Sequence, residues 1–311
     1  MTQIILEFSG PRTGSSALRY MLLGSPNVIG LGEVFHSTDA WELRANPTTI
    51  YGTDAVDGER LKPEIAAHLG ALRRSDPAAM LGELQKVAEA KGLGAIQLKI
   101  FPGHLTFRQI DEIMTRFSPV CYMMHRAPIE MYVSICKAKA VGAWGRVDTT
   151  DIKPELSPAA FRQWQKTQQT YFQVSRFLAE RRGLDMAELS YEQVYQSGRP
   201  SIEVVQQFYT DLGVDLGDCA PVEGGLTKQD KTSEIAGKVS NWAAFEAGLK
   251  KLNAADRLWS FETHGQTAKM IKALVVERLL PEQRVHKAKL AIRRMIGKGP
   301  APKPARSKQG N

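Results

Sequence analysis

Short apolar runs that alternate with helix-like segments recur along this chain and limit the folds that it can adopt. The first run, at residues 4–8, is followed by a glycine-containing loop and a helical pattern at 17–23. Further runs and helical patterns alternate in the same way at 95–101, 105–117, 119–125 and 129–140. Parallel strands need crossover connections, which are usually helices. This order therefore predicts a three-layer α/β/α domain around a mostly parallel sheet.

Helical patterns account for most of the remaining chain. They occur at residues 63–73, 77–91, 159–182, 239–252 and 266–280, and one further strand-like run lies at 185–190. Residues 217–237 are rich in Gly, Pro, Lys and Asp and have weak periodicity, which predicts a long loop. Long loops inside compact domains are usually functional.

Basic residues are distributed unevenly and divide the chain into two parts. The whole chain has 41 Lys and Arg against 33 Asp and Glu, and nine of the basic residues but one acidic residue lie in 281–311. The rest of the chain therefore holds 32 of each sign. We predict a domain at 1–282 and a basic tail at 283–311, partly helical and then disordered. Apolar residues at helical spacing in the tail permit weak contact with an anionic membrane surface, and a solvated tail is the alternative.

Cysteine usage and the start of the chain bear on the cellular compartment. Cys121, Cys136 and Cys219 are an odd number without CxxC spacing, so we expect neither a disulfide framework nor a zinc site. No signal-like segment precedes the first strand, and no apolar run reaches the roughly 20 residues that a membrane span needs. These features predict a cytoplasmic protein that the tail can bring to the inner membrane surface.

The loop after the first strand has the residues of an anion-binding site. Backbone N–H groups and the helix dipole point at whatever lies above a glycine loop between a strand and a helix. Arg12 adds a charged donor, and hydroxyl groups come from Thr13, Ser15 and Ser16, which suits a tetrahedral oxyanion. The alternative is a sharp turn that happens to be polar. The loop lacks the lysine of GxxxxGK[ST], which argues against a nucleoside triphosphatase or a small-molecule kinase.

A second arginine follows another strand of the predicted sheet. The run at 119–124 ends in His125-Arg126, and Ser134 lies eight residues further on, in the next helix. The carboxyl ends of parallel strands border the crevice where such sheets bind ligands. The alternative for Arg126 is an ordinary pairing with a nearby glutamate.

Taken together, these segments resemble the sulfotransferases that use 3′-phosphoadenosine-5′-phosphosulfate (PAPS), and most of all the bacterial carbohydrate sulfotransferases of the trehalose and nodulation-factor type. Residues 11–16, PRTGSS, are similar to the family's PRSGST loop, and Arg126 with Ser134 is similar to its 3′-phosphate element. Tyr191-Glu192 matches a YE dipeptide, and residues 226–231 loosely match a basic closing loop. The resemblance covers residues 4–245 and implies the P-loop-like sulfotransferase fold.

This resemblance assigns the nucleotide contacts. It implies that the 5′-phosphosulfate is held by Pro11, Arg12, Thr13, Gly14, Ser15 and Ser16. The 3′-phosphate would be bound by Arg126 and Ser134, with Tyr191 near the adenine and Lys228 and Lys231 closing over the nucleotide. PAPS is then the co-substrate, and no metal is expected.

Three residues are candidates for the chemistry itself. Glu33, in the segment Gly32-Glu-Val-Phe35, resembles a proposed general base, and the alternative is a surface glutamate in a turn. Lys99 lies inside an apolar run, where a charge is costly unless it is paired, and it resembles the lysine that stabilises the bridging oxygen. His104 is the competing base, and a surface loop histidine is the alternative.

Other residues near these candidates have less certain roles. Glu7 either pairs with a cation of the site or is an exposed edge residue. His36 and Trp41 are candidate acceptor contacts, because residues 35–60 and 142–154 follow the proposed base and the 3′-phosphate helix.

The predicted reaction is transfer of a sulfuryl group from PAPS to a hydroxyl of a carbohydrate or glycolipid acceptor, with Glu33 as base. One alternative is a nucleotide-binding protein without transfer activity, and another is a sulfotransferase that uses His104 on a non-carbohydrate acceptor. Nucleic acid is not expected as a partner, because the basic tail has no aromatic residues to stack on bases. The sequence leaves the oligomeric state open.

Overall fold

A five-stranded parallel sheet forms the centre of the protein. The computed structural model describes residues 1–36, 50–51, 56–57, 60–144, 147–195, 200–219, 229–267, 269–272 and 274. The strands of the sheet are β1 (Gln3–Phe8), β2 (Val28–Gly32), β5 (Ala95–Ile100), β6 (Val120–His125) and β7 (Met186–Ser190). Their order is β2-β5-β1-β6-β7, and all neighbours are parallel. A separate antiparallel pair consists of β3 (Val56–Asp57) and β4 (Arg60–Leu61).

Helices connect the strands and cover both faces of the sheet. In chain order they are α1 (Ser15–Leu22), α2 (Pro63–Ser75), α3 (Pro77–Ala90), α4 (Phe107–Phe117), α5 (Pro128–Val141), α6 (Pro158–Arg181), α7 (Tyr191–Val194), α8 (Ile202–Asp211) and α9 (Trp242–Lys251). Short 3₁₀ turns lie at Ile235–Lys238 and Ala255–Arg257. The predicted α/β/α architecture is thus confirmed.

Local signals explain where several helices begin. Thr106 accepts a hydrogen bond from the Gln109 N–H, and the Gln109 side chain returns to the Thr106 backbone, so α4 starts at a capping box. At α6, Ser157 accepts from the Ala160 N–H and Pro158 occupies the first helical position. These caps fix helix starts within two residues of the positions predicted from periodicity.

Two apolar clusters cover the two faces of the sheet. One packs β1, β2, β5 and β6 against α3, α4 and α6, and it includes Phe8, Leu98 and Phe172. The other packs the opposite face against α1 and α8, through Ile5 and Tyr209. Strands β1, β2, β5 and β6 are almost entirely buried on both sides, which is the condition under which parallel sheets are found, whereas β7 at the edge exposes Glu188.

Most predicted elements match the structure, and the differences are local. Helix α8 was not predicted, although Ser201 caps it by accepting from the Val204 N–H. Residues 220–228 and 275–311 lie outside the described residues, so the long loop is described only in part and the basic tail not at all. The boundary at residue 282 therefore stays a prediction.

The strand order places a crevice between β1 and β6. From β1 the chain proceeds toward β2 on one side of the sheet, and from β6 it proceeds toward β7 on the other side. The loops after these adjacent strands consequently diverge, and this is where open parallel sheets bind ligands. Both predicted anion-binding motifs follow these two strands.

No helix in the described ranges is both long and apolar enough to cross a membrane.

Candidate functional site

Two tight backbone turns shape the loop between β1 and α1. Arg12 has φ 75° and Gly14 has φ 90°, both in the left-handed region. At Gly14 a side chain would also collide with aromatic rings, because a Cβ would lie 2.8 Å from Tyr191 Cδ2 and 2.9 Å from Tyr195 Cε2. The hydroxyl of Thr13 is buried and donates to the Gly10 carbonyl at 3.0 Å. This hydroxyl, which was predicted to contact a ligand, therefore stabilises the turn of the loop.

Arg12 projects from the loop toward Ser134, which the sequence motifs had paired with Arg126 instead. Its Nε donates to Ser134 Oγ at 2.8 Å, one terminal nitrogen donates to the Trp144 carbonyl at 2.6 Å, and the other donates to Gln229 Oε1. All three acceptors are neutral. Burial and the charge of Arg126 both lower the pKa of Arg12, and the Tyr191 phenol opposes this shift.

Arg126 lies directly beyond β6 and faces the same loop. It donates to the Arg12 carbonyl at 3.4 Å and to Glu130 Oε2 at 3.0 Å. Its Nε is buried and has no hydrogen-bond partner in the part of the chain that the structure describes. The alternative prediction, that Arg126 pairs with a nearby glutamate, is thus correct for one of its three guanidinium nitrogens.

One carboxylate serves two cations at this position. The Glu130 carboxylate accepts a hydrogen bond from Arg126. It also accepts from Lys238, whose Nζ lies 2.8 Å from each of the two carboxylate oxygens. Arg12, which lies beside Arg126, adds a third cation that does not contact this carboxylate. We refer to Arg12, Arg126, Lys238 and Glu130 as the cationic cluster. A local excess of positive charge in a half-buried crevice is the electrostatic pattern of an anion site.

A second group of polar residues lies at the ends of β2 and β5. Gly32 has φ 65° and follows a register shift in the β2–β5 pairing, so the chain leaves the sheet there and presents Glu33. The fully buried Lys99 Nζ lies 3.8 Å from Glu33 Oε1 and donates to Ser16 Oγ at 3.2 Å. Lys99 therefore connects Glu33 with the anion-binding loop.

His104 lies on the other side of Glu33. Its Nε2 is 3.7 Å from Glu33 Oε2, and its Nδ1 accepts the Phe101 N–H at 3.2 Å. The ring stacks on Phe101, and 8% of the side chain is exposed, so the alternative of a surface loop histidine was wrong. His36 meets His104 edge to face, with ring centroids 5.4 Å apart.

Glu33, His36 and His104 each bring a possible metal ligand within 4.8 Å of the others. Two features fit a metal poorly. Because Nδ1 of His104 accepts a backbone N–H, the proton of the neutral ring lies on Nε2, the nitrogen that faces Glu33. The ammonium group of Lys99 competes for the same carboxylate. This group of side chains is better suited to proton transfer than to holding a cation.

Glu7 lies beneath the loop, at the centre of the sheet. Because β1 is flanked by β5 and β6, the alternative of an exposed edge residue was wrong. Its carboxylate accepts from Ser9 Oγ at 2.7 Å, from Gln97 Nε2 at 2.5 Å and from Tyr122 OH at 2.9 Å. Burial raises the pKa of Glu7 to about 7, although Lys99 and the hydrogen bonds oppose this shift.

The raised pKa predicts a pH dependence of stability that Glu7→Gln should remove. Burial raises this pKa from 4.5 to about 7, so between these values the folded chain retains a proton that the unfolded chain releases. The stabilisation is complete below pH 4.5 and is lost as the pH rises through about 7, which lowers the free energy of unfolding by about 3 kcal/mol. Urea unfolding at several pH values should show this loss in the wild type and not in the variant.

Glu246, which is exposed on α9 and pairs with Lys250, offers a matched control. Glu246→Gln should keep the pH profile of the wild type. If Glu7→Gln and the wild type gave parallel profiles, the raised pKa of Glu7 would be refuted.

The start of the described part of the predicted closing loop is fastened to residues 148–150. Lys137 is buried and binds Asp230 Oδ2 at 2.7 Å and the Thr149 carbonyl at 3.0 Å. Gln229, which contacts Arg12, accepts the Thr149 N–H at 2.8 Å through its carbonyl. Lys231 pairs with Asp148 at 2.8 Å and is 74% exposed, so the structure does not bring it to the cationic cluster. Lys228 and Trp41 lie outside the described residues.

Comparisons with known proteins were made for the whole chain. No protein-family model and no curated protein matches it. The chemistry of the site therefore rests on its own residues and on the resemblance of its motifs.

Several residues of the site had not been singled out from the sequence. They are Tyr195, Gln229, Lys137 and Lys238. Tyr195 follows Tyr191 by four residues, a spacing that places two side chains on one face of a helical turn. The position of Tyr195 beside Tyr191 could therefore have been predicted from the sequence. Lys137 lies on α5 three residues after Ser134, and Gln229 lies within the predicted closing loop, but no pattern marked either of them. Lys238 comes from a more distant segment and has no spacing that links it to the loop.

Proposed function

We propose that this protein is a PAPS-dependent sulfotransferase that transfers a sulfuryl group to a hydroxyl of a carbohydrate or glycolipid acceptor. The observation that carries the proposal is the meeting of Arg12 and Arg126 between β1 and β6, with neutral acceptors around the first and one shared carboxylate beside the second. Two guanidinium groups held so close together are stabilised by an anion between them.

Two sets of cationic groups beside the loop support a donor nucleotide with phosphate at both ends of its ribose. Lys99 donates to Ser16 of the loop, whereas Arg126 donates to the Arg12 carbonyl from the end of β6. A 5′-phosphosulfate in the loop therefore leaves Arg126 available for the 3′-phosphate, and the unpartnered Nε of Arg126 supplies a donor for it.

Glu33 is the base in this proposal. The acceptor oxygen attacks sulfur as its proton passes to the Glu33 carboxylate, an S–O bond forms, and the bond from sulfur to the 5′-phosphate oxygen breaks. The products are the sulfate ester and adenosine 3′,5′-bisphosphate. Lys99, between Glu33 and Ser16, offsets the charge that develops on the leaving oxygen.

His104 has a positioning role rather than that of the base. With Nδ1 occupied by the Phe101 N–H, the neutral ring has no lone pair directed at Glu33 and cannot accept a substrate proton there. It can donate from Nε2 to the carboxylate and so hold Glu33 in place. This argument favours Glu33 over the alternative base.

Calorimetry and radiolabel transfer test the proposal. The protein should bind adenosine 3′,5′-bisphosphate at least about 10-fold more tightly than ATP, because one additional well-placed charged contact is worth more than 1.4 kcal/mol. RNA should not compete. Incubation with ³⁵S-labelled PAPS and a fractionated cell extract should label a carbohydrate-containing acceptor.

Two outcomes of these experiments would contradict the proposal. Equal affinity for ATP and the bisphosphate would refute the nucleotide assignment. Tight binding of the bisphosphate without transfer to any fraction would favour the nucleotide-binding protein instead.

A further inference from the structure

Tyr191 is enclosed on both faces of its ring. The Arg126 guanidinium lies 4.1 Å from the ring centroid, and the ring of Tyr195 stacks at 4.2 Å with an angle of 14° between the planes. A guanidinium and a phenol at these distances cannot share one face. Arg126, Tyr191 and Tyr195 therefore form three successive layers, which we call the tyrosine stack.

The far end of the tyrosine stack contacts the anion-binding loop. Tyr195 OH donates to the Gly14 carbonyl at 3.1 Å. Both rings pack so closely on the Gly14 α-carbon that a Cβ there would approach each of them within 3 Å. The stack thus spans the distance between the loop after β1 and the arginine after β6.

Both tyrosines project from one short and well-defined turn. Helix α7 begins at a capping box in which Ser190 accepts from the Gln193 N–H and Gln193 returns to the Ser190 backbone. The Tyr195 N–H then closes the turn on the Tyr191 carbonyl at 2.9 Å. These bonds fix both rings relative to the end of β7.

We infer that Tyr195 is a specificity-determining positioning residue, which acts through Tyr191 to hold Arg126 at a fixed distance from the loop. The inference rests on the proposed function. A nucleotide with a 5′-phosphate alone is bound by the loop. A 3′-phosphate adds affinity only if the Arg126 guanidinium is positioned to contact it. The tyrosine stack therefore selects adenosine 3′,5′-bisphosphate over adenosine 5′-monophosphate.

Electrostatics explains why Arg126 needs this support. Arg12 repels it, and Glu130 attracts it but is shared with Lys238. A guanidinium over an aromatic face is attracted by the ring quadrupole, and the attraction is larger where water is excluded. The second ring supports the first and prevents it from tilting away. Arg126 is held in place before ligand arrives, which lowers the cost of binding.

The test is the ratio of the dissociation constants for the monophosphate and the bisphosphate, measured by calorimetry. Tyr195→Leu and Tyr191→Leu should each lower this ratio about 10-fold, mainly by weakening the bisphosphate. Tyr195→Phe keeps the stacked ring and loses the bond to Gly14, so it should retain most of the preference. Tyr20→Leu, which disrupts the Arg19–Tyr20 pair near the far end of α1, is the control and should leave the ratio unchanged.

A double-mutant cycle shows whether Tyr195 acts through Arg126. In an Arg126→Lys background, Tyr195→Leu should have no further effect on the ratio. A further loss there, or equal weakening of both nucleotides by Tyr195→Leu, would overturn the inference while leaving the proposed function intact. A wild-type protein without preference for the bisphosphate would overturn the proposed function, and this inference with it.

Discussion

Glu33→Gln should lower the rate of sulfuryl transfer by about 100-fold or more and leave the affinity for adenosine 3′,5′-bisphosphate within about twofold of the wild type. The substitution keeps the size of the side chain, and the amide can still contact Lys99 and His104. An amide cannot take the proton of the acceptor hydroxyl, and proton transfer by a positioned base contributes this magnitude. Single-turnover transfer of ³⁵S from PAPS measures the chemical step directly.

A matched control comes from another Glu–His pair of this protein. Glu83 on α3 lies 2.9 Å from His68 and is exposed, far along the chain from the loop and the crevice. Glu83→Gln removes the same charge from a similar pair and should not change transfer. A Glu33→Gln protein that retained the wild-type rate would exclude Glu33 as the base and return the question to His104.

Arg12→Gly should weaken the binding of adenosine 3′,5′-bisphosphate by about 100-fold. Hydrogen bonds to charged groups contribute about 1.5–3 kcal/mol each, and the guanidinium can make two of them to one phosphate. Glycine is the informative replacement because Arg12 has φ 75°, a conformation that glycine adopts without strain. The loss of affinity then reports the side chain and not the backbone.

Arg12→Lys separates the charge from its geometry. Lysine keeps the positive charge but lacks the planar fork, so we expect an intermediate loss of about 10-fold. A lysine also cannot reproduce the simultaneous contacts to Ser134, Trp144 and Gln229. Titration calorimetry at two salt concentrations measures both variants. Wild-type affinity in Arg12→Gly would contradict the assignment of this residue to the donor site.

The parts of the site that the sequence predicted are those that follow from strand ends. Arg12 lies in the loop after one apolar run and Arg126 directly follows another, and parallel strands bring their carboxyl ends to one edge of the sheet. Lys99 was recognisable because a charge inside an apolar strand requires a partner. In each case a local sequence pattern was sufficient to predict a residue of the site, because the fold class determines what surrounds the end of a strand.

Other features depend on the order of the strands, which the local pattern does not determine. The sequence allows Glu7 to lie on an edge strand or on a central one, and only the position of β1 between β5 and β6 decides between them. Lys238 and Gln229 reach the crevice from segments more than 90 residues beyond Arg126, through contacts that have no periodic signature. His104 had a recognisable position, but its tautomer depends on a single backbone N–H.

The cationic cluster has a cost to the folded chain before any ligand arrives. The fold holds the like charges of Arg12 and Arg126 close together, and Arg126 shares its counter-charge, Glu130, with Lys238. Such an arrangement is locally frustrated, since the fold imposes contacts that the charges by themselves oppose. An anion in the crevice relieves this repulsion only in the folded state. In the proposed function, the nucleotide would therefore act as a missing structural component of the domain, and its concentration would set part of the protein's resistance to unfolding.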